Sequence, residues 1–265
     1  MKIISLSAIK GGVGKTTLAF NFGEWLAAKG KKVLFIDLDH QCNLTQTYNV
    51  YTSKGTVKAI FTGEGDVEVL EVKPNIHLIA GYMELDTIEK ALENKVNKDM
   101  LLYMWLSDNF KSKQIDQYDL IIIDCHPDFS TGTRNAIAVS HAIVSPIIPS
   151  EHGYHAKFNL EQRLESFRKE VINYQTRESY ITAELYFIAN MIKHNTNSSR
   201  ELLKALEDND SVLAYVPAKE LFNRSTLDKK SLSEMAEDGK CYQTHKAFFD
   251  DIDVTFQRVY DRIYL

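Results

Sequence analysis

The run Ser7-Ala8-Ile9-Lys10-Gly11-Gly12-Val13-Gly14-Lys15-Thr16-Thr17 narrows the possible folds more than any other stretch of the chain. Before it, Ile3-Ile4-Ser5-Leu6 reads as a short buried strand. After it, from Leu18 to Ala27, apolar residues recur every three to four positions, which is the spacing of a helix with one buried face. A strand, a glycine-rich turn and a helix in that order make the setting of a phosphate-binding loop. The glycines let backbone N–H groups point inward around a polyphosphate. The unpaired N–H groups and the positive dipole end of the new helix add to that attraction. Lys15 is placed to reach the β- and γ-phosphates, and the Thr16 hydroxyl to hold Mg²⁺. With residue types at average usage, the six fixed residues of KGG-x-GKT arise by chance in roughly one such chain in 10⁵. The run departs from the usual loop in one respect: Ile9 stands where glycine is usual, and a second lysine, Lys10, follows it.

Two further aliphatic runs end on acids. Val33-Leu34-Phe35-Ile36 closes at Asp37-Leu38-Asp39, and Leu120-Ile121-Ile122-Ile123 closes at Asp124. In an open α/β sheet, ligands bind at the carboxyl ends of strands. Beside a phosphate loop, the second run reads as the Walker-B strand, with Asp124 next to the Mg²⁺ shell. More strands are expected over residues 75–80, 143–149, 183–192 and 212–216. Helices are expected around 56–61, in two pieces between 83 and 110, and over 157–174 and 250–264. Met100, Leu101, Leu102, Met104, Trp105 and Leu106 form a wide apolar face read as core packing. Pro146 falls inside the strand at 143–149, which is expected to be irregular or to end there. The alternation predicts an α/β fold: a single doubly wound domain over residues 1–265, with a mostly parallel central sheet and helices on both faces.

At these residues the chain resembles the ParA/MinD group of deviant-Walker ATPases, and in particular its short-form, Soj-like ParA partition members. The resemblance runs over roughly residues 2–225, with no helix-turn-helix module ahead of the loop. It implies ATP and Mg²⁺ as cofactors, with nucleotide contacts from Lys10, Gly11, Gly12, Val13, Gly14, Lys15, Thr16 and Thr17. It makes Lys10 the signature lysine that crosses a nucleotide-sandwich dimer to the partner's phosphates. It makes Asp39 the switch residue that polarises the attacking water, although an Asp there also serves simply to cap a loop. The implied catalytic set is Lys10, Lys15, Asp39 and Asp124, and the implied metal set is Thr16, Asp39 and Asp124. The group commonly reads D-x-D-P-Q-G-N after the second strand; here Asp39, Gln41 and Asn43 remain, while His40 and Cys42 replace Pro and Gly. His40 is read as a tolerated loop residue rather than a ligand. Cys125-His126-Pro127 resembles the group's D-x-P-P segment, with His126 in the first proline position, and Gly132, Asn135 and Ala136 also match. By the same likeness Asn190 would read adenine and Pro217 would lie against the purine. An Asn at a strand end also bonds its own backbone.

The 265 residues, 44% of them hydrophobic, suffice for one sizeable core. A net charge of −5 gives no global attraction to nucleic acid. DNA binding then needs a local basic patch or one assembled in a dimer. Arg200, Lys204, Lys219, Arg224, Lys229 and Lys230 are the candidates, since phosphate contacts need charge more than fixed register. The same residues also read as a solvated face. Asn195 and Ala218 stand where many members of the group have arginine. Cys42, Cys125 and Cys241 are too scattered for a disulfide framework or a zinc spacing, and an iron–sulfur role does not suit them. Residues 250–264 are amphipathic, but Asp250, Asp251, Asp253 and Asp261 outnumber Arg258 and Arg262, so an anionic bilayer would repel this end. A packed final helix is expected, with no membrane partner. The reading is a cytoplasmic, nucleoid-associated ATPase that dimerises on ATP, binds DNA nonspecifically and is stimulated by a ParB-like centromere-binding protein. A MinD-like or cargo-positioning ATPase that does not act on DNA is the alternative, and a carboxylate-activating synthetase on the same loop is a third reading.

Overall fold

Aliphatic runs without polar interruption make strands buried on both faces, and here they become the centre of a sheet. The computed structural model describes residues 1–264, and the side chains of all of these except 151–154. In chain order, β1 (Lys2–Leu6) leads to α1 (Lys15–Ala28), and β2 (Val33–Leu38) to α2 (Asn43–Thr47) and α3 (Lys58–Thr62). Next come β3 (Leu70–Lys73), β4 (Ile76–Ile79), α4 (Leu85–Ala91) and α5 (Leu101–Asn109). Then follow β5 (Leu120–Cys125), α6 (Thr131–Val139), β6 (Ala142–Ile147), α7 (Glu151–Glu170), β7 (Glu184–Ile192) and α8 (Asn197–Leu206). The chain finishes with β8 (Val212–Pro217), α9 (Glu220–Leu227), α10 (Leu232–Glu237) and α11 (Gly239–Tyr264).

The strands form one eight-stranded sheet in the order β3-β4-β2-β5-β1-β6-β7-β8, parallel throughout except for the antiparallel β3–β4 edge. This is the doubly wound α/β sheet expected from the alternation. Side chains alternate between faces along a strand. Val33 and Phe35 of β2, with Leu120 and Ile122 of β5, therefore join the layer of α1, α9, α10 and α11. Leu34, Ile36, Ile121 and Ile123 face the other layer, with α3, α5 and α6. On the first layer Phe248, Phe249, Ile252, Phe256, Val259 and Ile263 bury α11 against the core, and the Trp25 indole donates to Asp253 at 2.8 Å. The final helix is thus packed. Among the described residues no helix is long and apolar enough to cross a membrane.

Several local expectations change. β6 does not stop at Pro146; it runs through Ile147, still paired to β7. The β1 ladder has already ended at Val144, so on that side no partner asks for the missing N–H of Pro146. The helix expected over 157–174 is α7, which starts at Glu151 and stops at Glu170, and Phe158 on it is exposed. In the apolar cluster, Leu101, Leu102 and Leu106 are buried, but Met104 is exposed. The last helix begins well before residue 250, at Gly239, with non-helical angles at His245.

Candidate functional site

β1 sits between β5 and β6, and the loop leaving it crosses the carboxyl end of the sheet before α1 begins. Gly14, the residue before α1, has φ +91°, and a Cβ there would meet the Asn190 amide nitrogen at 2.5 Å. Only glycine meets both demands. Gly11 packs on the Pro127 ring, at 3.7 Å from where its Cβ would stand, so the loop rests on the segment that follows β5. Lys15 is buried at the first turn of α1. The Thr16 hydroxyl donates to Asp124 Oδ2 at 2.6 Å. Lys10 is half-buried, and its ammonium donates to the Ser150 hydroxyl at 3.2 Å.

Register brings the acids together. Asp37 and Asp124 are direct partners on β2 and β5, on the face that carries α1. Asp37 accepts from the Thr45 hydroxyl (2.6 Å), the Thr45 amide (2.9 Å) and the Asp39 amide (3.1 Å). It therefore ties the loop after β2 to the strand. Burial pushes its carboxyl above the ordinary range, against the pull of those hydrogen bonds. Burial also raises Asp124, and the charge of Asp37 adds to it, while the Thr16 bond and Lys15 oppose. Asp124 Oδ1 is buried without a hydrogen-bond partner. An orphaned carboxylate oxygen, a neighbouring threonine hydroxyl and crowded negative charge are what a hard divalent cation relieves. The residues present fit Mg²⁺, with Thr16 and Asp124 as its holders and Asp39 nearby on the loop.

That loop keeps a defined shape despite its two departures from the group pattern. Asp39 Oδ1 accepts from the Gln41 amide at 2.9 Å, and the Cys42 amide donates to the Asp39 carbonyl at 2.8 Å. Cys42 takes up φ +51° just before α2, a left-handed turn where glycine is the unstrained choice. On the facing segment, His126 stacks on His40 with ring centroids 3.9 Å apart.

On the other flank, Gly14, Thr17, Leu18, Asn190, Met191 and Pro217 line a cavity of about 320 Å³ beside the loop. Asn190 is buried, and its Nδ2 donates to the Val13 carbonyl at 2.8 Å. One amide hydrogen is therefore spent on holding the phosphate loop. A larger cavity of about 530 Å³ lies at the amino ends of the strands, lined by Met1, Tyr103, Phe110, His141 and Tyr180, away from the loop.

The six basic candidates divide by element. Arg200 and Lys204 ride on α8, and Lys219 and Arg224 at the start and in the last turn of α9. Arg224 pairs with Asp228 at 2.9 Å. Lys229 donates to Asn49 Oδ1 (2.5 Å) and to the Tyr51 hydroxyl. Lys230 follows, between α9 and α10. Ser150, Asp37 and His126 carry contacts that the sequence reading did not assign. Ser150 meets Lys10 and His126 meets His40 from far away in sequence, while Asp37 binds the loop after its own strand and faces Asp124 across the sheet.

The molecule is a phosphate-loop nucleotide-binding α/β protein. A family model described as an AAA domain matches residues 1–178. The chain belongs to that family and is a ParA-like P-loop ATPase. It is 34% identical over 172 residues to the sporulation initiation inhibitor protein Soj of Bacillus subtilis, a match spanning 63% of this chain and 65% of that one. Among solved structures, an assigned plasmid partition protein of Borrelia burgdorferi bound to AMPPNP superposes with TM-score 0.80 at 20% identity, over 98% of this chain and 99% of that one. A variant of Cyanothece McdA in complex with ATP gives TM-score 0.82 at 20% identity, over 100% and 97%. Those two likenesses establish the fold.

Proposed function

We propose that this chain is a ParA-type partition ATPase whose protomers close face to face around ATP and Mg²⁺. The carrying observation is the pair of lysines on one loop. Lys15 is buried where the loop meets α1, and Lys10 lies at the rim against Ser150. One lysine suffices to bind the phosphates, so the second suits charge that develops on a neighbouring protomer's nucleotide. The names of the Soj relative and of the plasmid partition protein support the same reading.

In this reading the Gly11–Thr17 backbone and Lys15 hold the phosphates, and the cavity beside Asn190 and Pro217 takes the base. Thr16 and Asp124 hold Mg²⁺, which neutralises charge on the β- and γ-phosphates when bound. Asp39, fixed by its bonds to Gln41 and Cys42, orients the water and accepts its proton at a carboxylate oxygen. ATP binding forms the dimer, and slow hydrolysis, stimulated by a ParB-like partner, dissolves it. The dimer holds nonspecific DNA and so associates with the nucleoid, using Arg200, Lys204, Lys219 and Lys230, with Arg224 and Lys229 once released from their present partners. Those engagements favour a second reading, a positioning ATPase for protein cargo that does not touch DNA.

Sizing chromatography with light scattering separates the outcomes. With Mg²⁺ and a non-hydrolysable ATP analogue the wild type is expected to run as a dimer. Lys10→Ala is expected to stay monomeric while binding nucleotide within about threefold of wild type. A wild type that remains monomeric would overturn the sandwich. Dimerisation without ATP-dependent, salt-sensitive retention on arbitrary DNA would transfer the assignment to the cargo reading.

A further inference from the structure

Beside the phosphate cradle, a cluster of metal-ligating side chains remains unexplained by phosphate chemistry. Leu38 and Cys125 are register partners at the ends of β2 and β5, so the residues that follow leave adjacent strands at one level. Asp39 and His40 come from the first strand and His126 from the second. One carboxylate oxygen of Asp39 and one ring nitrogen from each histidine all lie within 4.8 Å of one another. The two imidazoles stack at 3.9 Å between centroids with a 30° tilt. His126 Nδ1 lies 2.9 Å from Asp128 Oδ2. A carboxylate only accepts, so in the neutral ring that nitrogen carries the proton and the Nε2 lone pair is left for a metal. Metal-binding histidines are oriented by a carboxylate on the other ring nitrogen in this way.

We propose that Asp39, His40 and His126 form a site for a divalent transition metal of the Zn²⁺ class, and that the bound ion restrains Asp39 and slows ATP hydrolysis. Two imidazoles and one carboxylate suit Zn²⁺ or Co²⁺, whereas Mg²⁺ prefers all-oxygen shells. Three protein ligands leave the fourth position of a tetrahedral shell to water. Metal–ligand distances near 2.0–2.1 Å need ligand atoms about 3.3 Å apart. The present spacing, up to 4.8 Å, is wider than that, so metal binding requires the side chains, His40 foremost, to draw in toward the ion. In this proposal His40 is a ligand rather than the tolerated loop residue expected from the sequence. The ion and a water-positioning Asp39 compete for one carboxylate, and this coupling rests on the role proposed above for Asp39.

The test uses the full chain, stripped by chelator and then freed of it, without nucleotide. Co²⁺ titration is expected to give tetrahedral d–d absorption saturating at one equivalent, and Zn²⁺ should abolish it. His40→Gln and His126→Gln should each weaken Co²⁺ binding at least about tenfold, and Asp128→Asn about tenfold through the orientation of His126. Loss of the absorption in both histidine variants supports the site. No absorption in the wild type, or a sulfur-to-cobalt band that survives both substitutions, overturns it. In parallel, Mg²⁺-ATP turnover is measured with and without one equivalent of Zn²⁺ in each protein. Inhibition in the wild type that disappears in His126→Gln supports the coupling, and metal binding without any change in turnover overturns it. A chain that hydrolyses no ATP at all refutes the enzymatic reading, while the cobalt spectrum still decides the site.

Discussion

Asp124 is fully buried, keeps one oxygen without a partner and faces the charge of Asp37 on the next strand. Such a carboxyl is a stability cost that binding a cation offsets. In the unfolded chain it ionises near pH 4, while in the folded chain burial holds its proton up to about pH 8. Asp37 is displaced in the same direction. Between the ordinary and the raised values the folded state binds more protons than the unfolded one, so ligand-free stability falls as pH rises across that window. Asp124→Asn is nearly isosteric and cannot ionise. In urea at pH 8, without Mg²⁺, it should be more stable than the wild type by at least about 1.4 kcal/mol, the equivalent of one pKa unit. The difference should shrink toward pH 4. A variant less stable than the wild type at pH 8 would show that Asp124 is not held against its charge.

Helix α1 shows where packing overrides propensity. Gly23 lies in its interior, where alanine would ordinarily be better by about 1 kcal/mol. A Cβ at that place would overlap the Phe35 ring, which is itself held by Tyr48. Overpacking costs about 1–3 kcal/mol. Gly23→Ala should therefore destabilise the protein by roughly 1–2 kcal/mol in urea denaturation, and a stabilised variant would refute the close approach. The same contrast explains what was legible. The β2 and β5 runs, the phosphate loop and Asp124 were readable because local pattern decides them. α9 and α10 are short and polar, although the capping box of Ser231 and Glu234 was there to be read. β3 was missed because it is brief, partly exposed and antiparallel. Pro146 looked like an end because the sequence does not say that the ladder with β1 has already closed. The bond of Lys10 to Ser150 and the stacking of His126 on His40 join loops whose meeting is set by strand order, which no single stretch specifies.

At the scale of the molecule, the proposed nucleotide site draws on the ends of β1, β2, β5 and β7, and the elements behind it are cross-tied. Lys73 of β3 bridges Glu24 of α1 at 3.0 Å and Glu234 of α10 at 2.9 Å, and α11 covers α1. A ligand that braces the loop and Asp124 therefore acts on the cooperative unit as a whole. By mass action, nucleotide at a hundred times its dissociation constant adds about 2.7 kcal/mol. For a domain of this size that is roughly 5–10 °C in Tm. Mg²⁺ should be required for most of the rise. The ion must also displace the proton that burial keeps on Asp124, so the gain from Mg²⁺ should be larger at pH 8 than at pH 6. Thermal melts with a non-hydrolysable ATP analogue, with Mg²⁺ or with EDTA, at those two pH values measure all three quantities. Equal increments in all four conditions would mean that the buried carboxylates take no part in holding the metal, and that Thr16 and Asp124 bond only to each other.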